Sequence, residues 1–337
     1  MYTIAVDAMG ADNSPDAIVE GVNLAIERYD DIRIRIYGDE AGIQEHLKPS
    51  SRVVVVPTTE VITNEEEPVR GLRRKKDASI VVAANDVKSG EADAMVSAGS
   101  TGATYASSLL IIGRCKNIDR PPIAALFPTI NPSRPRVLMA DAGANPDMRA
   151  VNIEQFAIAS AFYSRNILNV ANPTVGLINN GTEEGKGNAL TREAYDLLKA
   201  NPNINFKGNV EPREILSGVV DVLVTDGYTG NIVVKTMEGV SKSLFSLIKS
   251  KIEDGGIKSK LGGLLLKDDF NSLLAEFDDE QMGGGMIIGV NAPVMVTHGS
   301  SGPIAIMTAI AQMRTSLKSQ MVEQISDYFA KSDEDYE

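Results

Sequence analysis

Ala94-Met95-Val96-Ser97-Ala98-Gly99-Ser100-Thr101-Gly102-Ala103-Thr104 decides the fold. Four mostly apolar residues are too few for a helix and read as a strand buried on both faces. The glycines that follow allow a tight turn, and Ser100 or Thr101 can cap the helix that starts there. A strand that turns on glycine straight into a helix is half of a βαβ unit. Working outward, short β-branched runs at 3–8, 32–37, 53–57, 124–127, 137–140, 174–178, 205–208, 222–225 and 294–296 alternate with longer segments of helical period. That alternation predicts an α/β protein: a three-layer α/β/α sandwich around a largely parallel sheet. In such sheets ligands gather at the carboxyl-end turns.

The chain has 337 residues, 43% hydrophobic and 23% charged, which excludes a disordered or fibrous protein and suits two domains' worth of chain or one large α/β unit, read here as a single domain over 1–337. Between Gly230 and Gly285 the strand pattern stops, and 232–282 reads as a helical excursion broken at Asp254-Gly255-Gly256 and Gly262-Gly263. Residues 302–330 have helical spacing and close the fold, and the acidic 332–337 is expected to fray. Acidic residues outnumber basic ones 45 to 33, and a net charge of −12 opposes binding to nucleic acid. A single cysteine, Cys115, excludes an intramolecular disulfide and fits a reducing compartment. With only His46 and His298 beside it, no metal site is expected. The opening Met1-Tyr2-Thr3-Ile4-Ala5-Val6-Asp7 alternates like a strand and lacks a secretion signal, so a cytoplasmic protein is expected.

Several turns carry groups with chemistry. Gly99, Ser100, Thr101 and Gly102 place free amides and hydroxyls at a helix start, which makes an anion cradle, although the same residues serve an ordinary strand-to-helix turn. Asp226-Gly227-Tyr228-Thr229-Gly230-Asn231 and Thr297-His298-Gly299-Ser300-Ser301-Gly302 repeat the plan. Asp7-Ala8-Met9-Gly10-Ala11-Asp12 and Asp141-Ala142-Gly143-Ala144-Asn145 add carboxylates at two more strand ends. Lys186, in Gly185-Lys186-Gly187, stands between flexible glycines and can reach a mobile anion, but the spacing from Gly181 is one residue short of a P-loop and Gly187 replaces the magnesium-binding hydroxyl. Leu190 breaks the dinucleotide fingerprint in the same way. No nucleotide cofactor is expected.

Arg73, Arg74, Lys75 and Lys76 form the densest basic run of an acidic chain. Glu65-Glu66-Glu67 can neutralise it as a solvated face; the alternative is capture of an acidic partner or of phosphate. In the helical excursion, Leu261, Leu264, Leu265, Leu266, Phe270, Leu273 and Leu274 concentrate apolar bulk beside Lys258, Lys260 and Lys267. This pattern suits a tip that touches a membrane surface, and equally a dimer interface.

In order along nearly the whole chain, Asp7-Ala8-Met9-Gly10, Arg73-Arg74-Lys75-Lys76-Asp77, Ser97 to Ala103, Asp141 to Asn145, Glu183-Glu184-Gly185-Lys186-Gly187, Thr225 to Asn231 and His298-Gly299 resemble the bacterial phosphate acyltransferases called PlsX. The resemblance implies an isopropylmalate dehydrogenase-like fold and a homodimer. It also implies an enzyme that makes acyl-phosphate from acyl-[acyl carrier protein] and inorganic phosphate early in phospholipid synthesis. Its product would pass to an acyl-phosphate-using acyltransferase at the inner face of the cell membrane. On that reading Gly99, Ser100, Thr101, Gly102, Asp226, Gly227, Thr229, Gly230 and Asn231 bind phosphate or substrate, and Lys186 and His298 stabilise charge as phosphate attacks the thioester directly. A NAD-dependent dehydrogenase of the same general fold and a non-catalytic scaffold for lipid enzymes remain as alternatives.

Overall fold

The computed structural model describes residues 1–270 and 284–331. Leu273, Leu274, the end of the 232–282 excursion and the 332–337 tail lie outside the described residues. Eleven strands form one sheet: β1 (Tyr2–Asp7), β2 (Ile32–Gly38), β3 (Val53–Pro57), β4 (Ala94–Ser97), β5 (Ile123–Pro128), β6 (Arg136–Ala140), β7 (Thr174–Ile178), β8 (Asn205–Val210), β9 (Val222–Val224), β10 (Gly285–Ile287) and β11 (Val294–Val296). The helices are α1 (Asp16–Arg28), α2 (Glu40–His46), α3 (Pro68–Arg74), α4 (Ser79–Ser89), α5 (Thr101–Ser107), α6 (Ala150–Asn166), α7 (Ala189–Ala200), α8 (Gly227–Glu253), α9 (Ile257–Leu265), α10 (Pro303–Ser319) and α11 (Met321–Lys331), and they cover both faces of the sheet except for α9, which packs on α8. The sandwich read from sequence is therefore the fold. Every residue of β4, β7, β9 and β11 is buried, which is why these strands read as unbroken apolar runs.

The strand order is β3-β2-β1-β4-β11-β10-β5-β6-β9-β7-β8. Strands β1 to β4 and β11 pair in parallel, as do β6, β7, β8 and β9. Between these groups, β10 runs antiparallel to β11 and to β5, and β5 antiparallel to β6. Three reversals leave the two parallel groups pointing in opposite directions. The carboxyl ends of β4 and β11 thus lie on one edge of the sheet, and those of β6, β7 and β9 on the other. Strand β10 escapes the sequence pattern because it is three residues long and begins on glycine. The expected break at Gly262-Gly263 is instead helical, inside α9. A Cβ on Gly263 would stand 2.3 Å from Ile252 Cγ2, so the glycine lets α9 lie close against α8.

One buried group ties the reversed halves together. Asp141, at the end of β6, accepts N–H bonds from Ile123 (3.1 Å), Gly143 (3.0 Å), Ala144 (3.0 Å) and Asn145 (2.7 Å), and one from the Asn145 amide (2.8 Å). Helix α8 starts on this knot: Asp226 caps it by accepting from the Thr229 amide and hydroxyl, at 2.8 and 2.7 Å, and the Gly227 amide donates to the Asn145 carbonyl. A Cβ on Gly227 would meet Asp141 Oδ2 at 2.8 Å, and one on Gly230 would meet the Asp141 carbonyl oxygen at 1.8 Å. With 27 residues, α8 is about 40 Å long, while a five-residue strand spans about 17 Å. Its outer half therefore extends beyond the sheet, and Val240, Leu244 and Leu247 on it are all more than half exposed.

Gly230→Ala is accordingly expected to destabilise the protein by about 2 kcal/mol or more, because the backbone on both sides must shift. Gly239→Ala, on the same helix with open space around it, is expected to be neutral or stabilising by up to about 1 kcal/mol. Urea unfolding of the two variants against the parent protein checks the contrast.

Candidate active site

A cleft of about 870 Å³ opens over β5 and β10, between the turns that follow β4 and β11 and the inner face of α8. Gly99, Thr101, Thr297, His298, Gly299 and Ser300 form one wall, joined by Asp12 and Asn64. Residues of β5, with Ala142 and Gly143, form the floor. Asn231, Val234, Met237, Ser241 and Phe245 face them from α8, flanked by Lys235, Glu238 and Lys242.

The polar wall is fixed from behind by Asp7. Buried at the end of β1, its carboxylate accepts from Ser97 Oγ (2.8 Å) and the Met9 amide (3.1 Å), while Ser97 Oγ accepts the Gly99 amide (3.1 Å). Burial raises the Asp7 pKa, against the lowering effect of its bonds from Ser79, Ser97 and Met9. The Gly99 amide is thereby occupied, and the donors this turn leaves for a ligand are the Thr101 and Gly102 amides at the start of α5. Ser100 caps α5 by accepting the Ala103 amide at 3.4 Å and is buried. A Cβ on Gly102 would meet Pro68 Cγ at 2.7 Å, so this glycine serves the packing of α3 on α5. Behind the start of α5, the Tyr105 hydroxyl lies 2.9 Å from the Pro121 carbonyl oxygen and 3.0 Å from the Asn145 side-chain oxygen. Burial pushes its pKa up to about 12 and keeps it neutral.

His298 is exposed to the cleft, with Ser300 Oγ 2.9 Å from its Nδ1, which leaves Nε2 as the nitrogen available to a ligand. On the same turn the Gly299 carbonyl accepts the Asp12 amide at 2.9 Å, which fixes Asp12 at the rim.

The structure brings Gly99, Thr101, Asn231 and His298 into this cleft. Asp226, Gly227, Thr229 and Gly230 are not among its lining residues: they follow β9, on the edge that the antiparallel strands turn away from β4, and they are engaged in capping α8 and packing it on Asp141. Lys186 also lies outside the lining. Its loop follows β7 and is held by the Asn179 amide, which donates to the Lys186 carbonyl at 3.1 Å. Its half-exposed ammonium stands 4.0 Å from Glu183. A Cβ on Gly187, at φ +95°, would fall 2.0 Å from Thr191 Oγ1, so that glycine is demanded by the turn.

The basic run divides. Lys75 Nζ is 2.5 Å from Glu66 and 2.6 Å from the Val61 carbonyl, so it holds a loop, and Lys76 Nζ donates to the Leu72 carbonyl at 3.0 Å. Arg73 and Arg74 stay exposed on α3, which packs beside α5 at the cleft. Leu261, Leu264, Leu265 and Leu266 are 57, 68, 75 and 48% exposed around α9, and Lys258, Lys260 and Lys267 beside them are exposed as well. Among the described residues no helix is long and apolar enough to cross a membrane. Sequence reasoning missed Asn64, Lys235, Lys242 and the α8 wall. The spacing of Val234, Met237, Ser241 and Phe245 was the available signal, but it does not say what the stripe faces.

A family model described as "Fatty acid synthesis protein" matches residues 2–324. A curated phosphate acyltransferase of Enterococcus faecalis is 47% identical over 326 residues, covering 97% of this chain and 98% of its own length. One of Streptococcus uberis is 46% identical over 331 residues, covering 98% of each. Among solved structures, a phosphotransacetylase from Streptococcus pyogenes superimposes with a TM-score of 0.62 at 18% identity, over 96% of this chain and 94% of its own. A branched-chain phosphotransacylase from Enterococcus faecalis gives 0.54 at 14% identity, over 94% of this chain and 100% of its own, so that both likenesses speak for the fold. With a match over nearly its full length and relatives at close to half identity, the chain belongs to the phosphate acyltransferase family.

Proposed function

We propose that this protein transfers the acyl group of acyl-[acyl carrier protein] to inorganic phosphate, forming acyl-phosphate and the free carrier thiol. The observation that carries the reading is the cleft itself, which sets a wall of helix-start amides, hydroxyls and an imidazole against a wall of apolar side chains. Phosphate suits the first and a fatty acyl group the second.

Phosphate is already partly dianionic at neutral pH and attacks the thioester carbon directly. The C–S bond then breaks and the electron pair leaves on sulfur. Because a thiol has a pKa of about 8.5, its thiolate departs with modest help. The site's work is position and charge stabilisation: amides of the α5 start and the Thr101 hydroxyl hold phosphate, while His298 Nε2 supports the oxyanion or the thiolate. Lys235 adds positive charge on the facing helix. Lys186 remains in the proposal as a charge brought in by its glycine-flanked loop when substrate binds, since a site without ligand need not show its final contacts. Carrier capture is assigned to Arg73 and Arg74, and the exposed leucines of α9 to a membrane surface, where the product would be consumed. A homodimer is part of the same proposal.

The deciding assay is release of thiol from acyl-carrier protein, dependent on inorganic phosphate; absence of release from the purified protein would overturn the reading. In that assay Lys186→Ala and His298→Ala are each expected to lower turnover about 10²-fold with the fold intact, and near-normal turnover of either removes that residue from the mechanism.

Reversal of charge at Arg73 and Arg74 is expected to raise the apparent KM for the carrier and flatten its salt dependence. Lys75→Ala should act chiefly on stability, because its ammonium is spent on Glu66 and Val61. Steady-state kinetics at low and high salt, with melting curves, separates the two effects.

Each large apolar side chain leaving water contributes about 1.5 to 3 kcal/mol, so two or three leucines with flanking lysines support reversible adhesion to anionic lipid. Wild-type protein is expected to float with anionic liposomes and the double variant Leu264→Glu, Leu265→Glu to remain behind at unchanged oligomeric state. Equal flotation would reject membrane contact, and loss of the dimer in parallel would assign the leucines to an interface.

A further inference from the structure

Val234, Met237, Ser241, Phe245, Ile248 and Ile252 follow one another along α8 at intervals of three and four residues, and every one is partly covered. At 100° per residue they lie within about 40° of a common line on the helix surface. The first four line the cleft opposite β5, whereas Ile252 meets Gly263 of α9 at the far end. The stripe therefore leads from the cleft to the junction with α9, with Glu238, partly covered, on its flank. From Val234 to Phe245 alone it covers about 16 Å, and to Ile252 about 27 Å.

Val240, Leu244 and Leu247 form a second apolar stripe on α8, roughly a quarter turn away and more than half exposed. A second copy or a lipid surface would cover that outer stripe. The inner one is turned toward β5, where Phe127 and Pro128 stand across from it in the same cleft. Its occupant must enter a cleft that is polar along its other wall. An extended hydrocarbon chain attached to a reacting polar head has that shape, and a folded protein segment, with backbone groups to satisfy on both sides, does not.

We infer that the inner stripe of α8 is the track on which the acyl chain of the donor lies, running from the cleft outward toward α9, so that the length of chain the enzyme uses best is set by this helix. The inference rests on the acyltransferase reading above. Ser241 sets the width of the track: a hydroxymethyl group between Met237 and Phe245 leaves it open in its middle, where a larger or charged side chain would block it.

The test compares hexadecanoyl- and hexanoyl-carrier protein as donors, with inorganic phosphate, for wild type, Ser241→Phe and Ser241→Asp, and records oligomeric state and helix content for each. For both variants the ratio of kcat/KM for the long donor over the short one is expected to fall at least tenfold, the scale of discrimination that a blocked or charged apolar subsite produces. Phe245→Ala, which widens the track further along, should leave a ratio above that of Ser241→Phe. A long-to-short ratio equal to wild type in both Ser241 variants overturns the proposal. So does an equal loss for both donors accompanied by a change in oligomeric state, which would mean that the stripe holds a second copy. Wild-type protein inactive with every donor would overturn the acyltransferase reading, and the track with it, and that result is distinct from an active enzyme without chain-length dependence on Ser241.

Discussion

The buried carboxylate of Asp141 is the constraint on which the rest of the structure hangs. Four backbone amides and one side-chain amide converge on it, and they belong to the start of β5, the turn after β6 and Asn145. Burial raises its pKa while those donors oppose the rise, so the group is costly to bury and strongly held at the same time. Removing either side of such an arrangement leaves buried donors or an uncompensated carboxylate. The price of the knot is what fixes where the antiparallel strand β5 begins and how closely α8 can approach, with glycine at 227 and 230 as the only side-chain size that fits.

From that point the site follows. The reversal of direction through β10, β5 and β6 separates the glycine turns into two sets on opposite edges of the sheet. A helix about as long as α8, starting at the knot on one edge and running back past the other, returns the second half of the molecule to the first. Asn231, on the first turns of that helix, reaches the cleft; Asp226 to Gly230 stay behind as its foundation. The cleft is thus polar where strands β4 and β11 end, and Val234, Met237 and Phe245 give it an apolar stripe where α8 passes β5.

That division explains what was legible in the sequence. Strands buried on both faces announce themselves as short apolar runs, so the sandwich and ten of its strands could be read directly; β10, three residues after a glycine, carries too little pattern to be seen. Glycine turns were equally visible, but the sequence gives each one the same appearance whether it cradles an anion or lets two backbones touch. Gly99 and Gly230 differ only in what lies across from them, Met9 and Asp7 in one case and the Asp141 carbonyl in the other. Sorting them requires the strand order, and strand order through two antiparallel insertions is a long-range property that local spacing does not encode.

Charged residues show the same limit in another form. Lys75 and Arg74 are neighbours in one basic run, yet Lys75 is consumed by Glu66 and a backbone carbonyl while Arg74 remains in solvent. A partner carrying negative charge would meet Arg73 and Arg74 beside α5, close to the polar wall, on a molecule whose net charge of −12 repels it elsewhere. Long-range repulsion with a local attraction at this site favours encounters that bring the acidic partner to Arg73 and Arg74. The acyl group would then be presented at the mouth of the cleft with the apolar face of α8 directly ahead of it. In such an arrangement Arg73 and Arg74 would act through their position beside the polar wall.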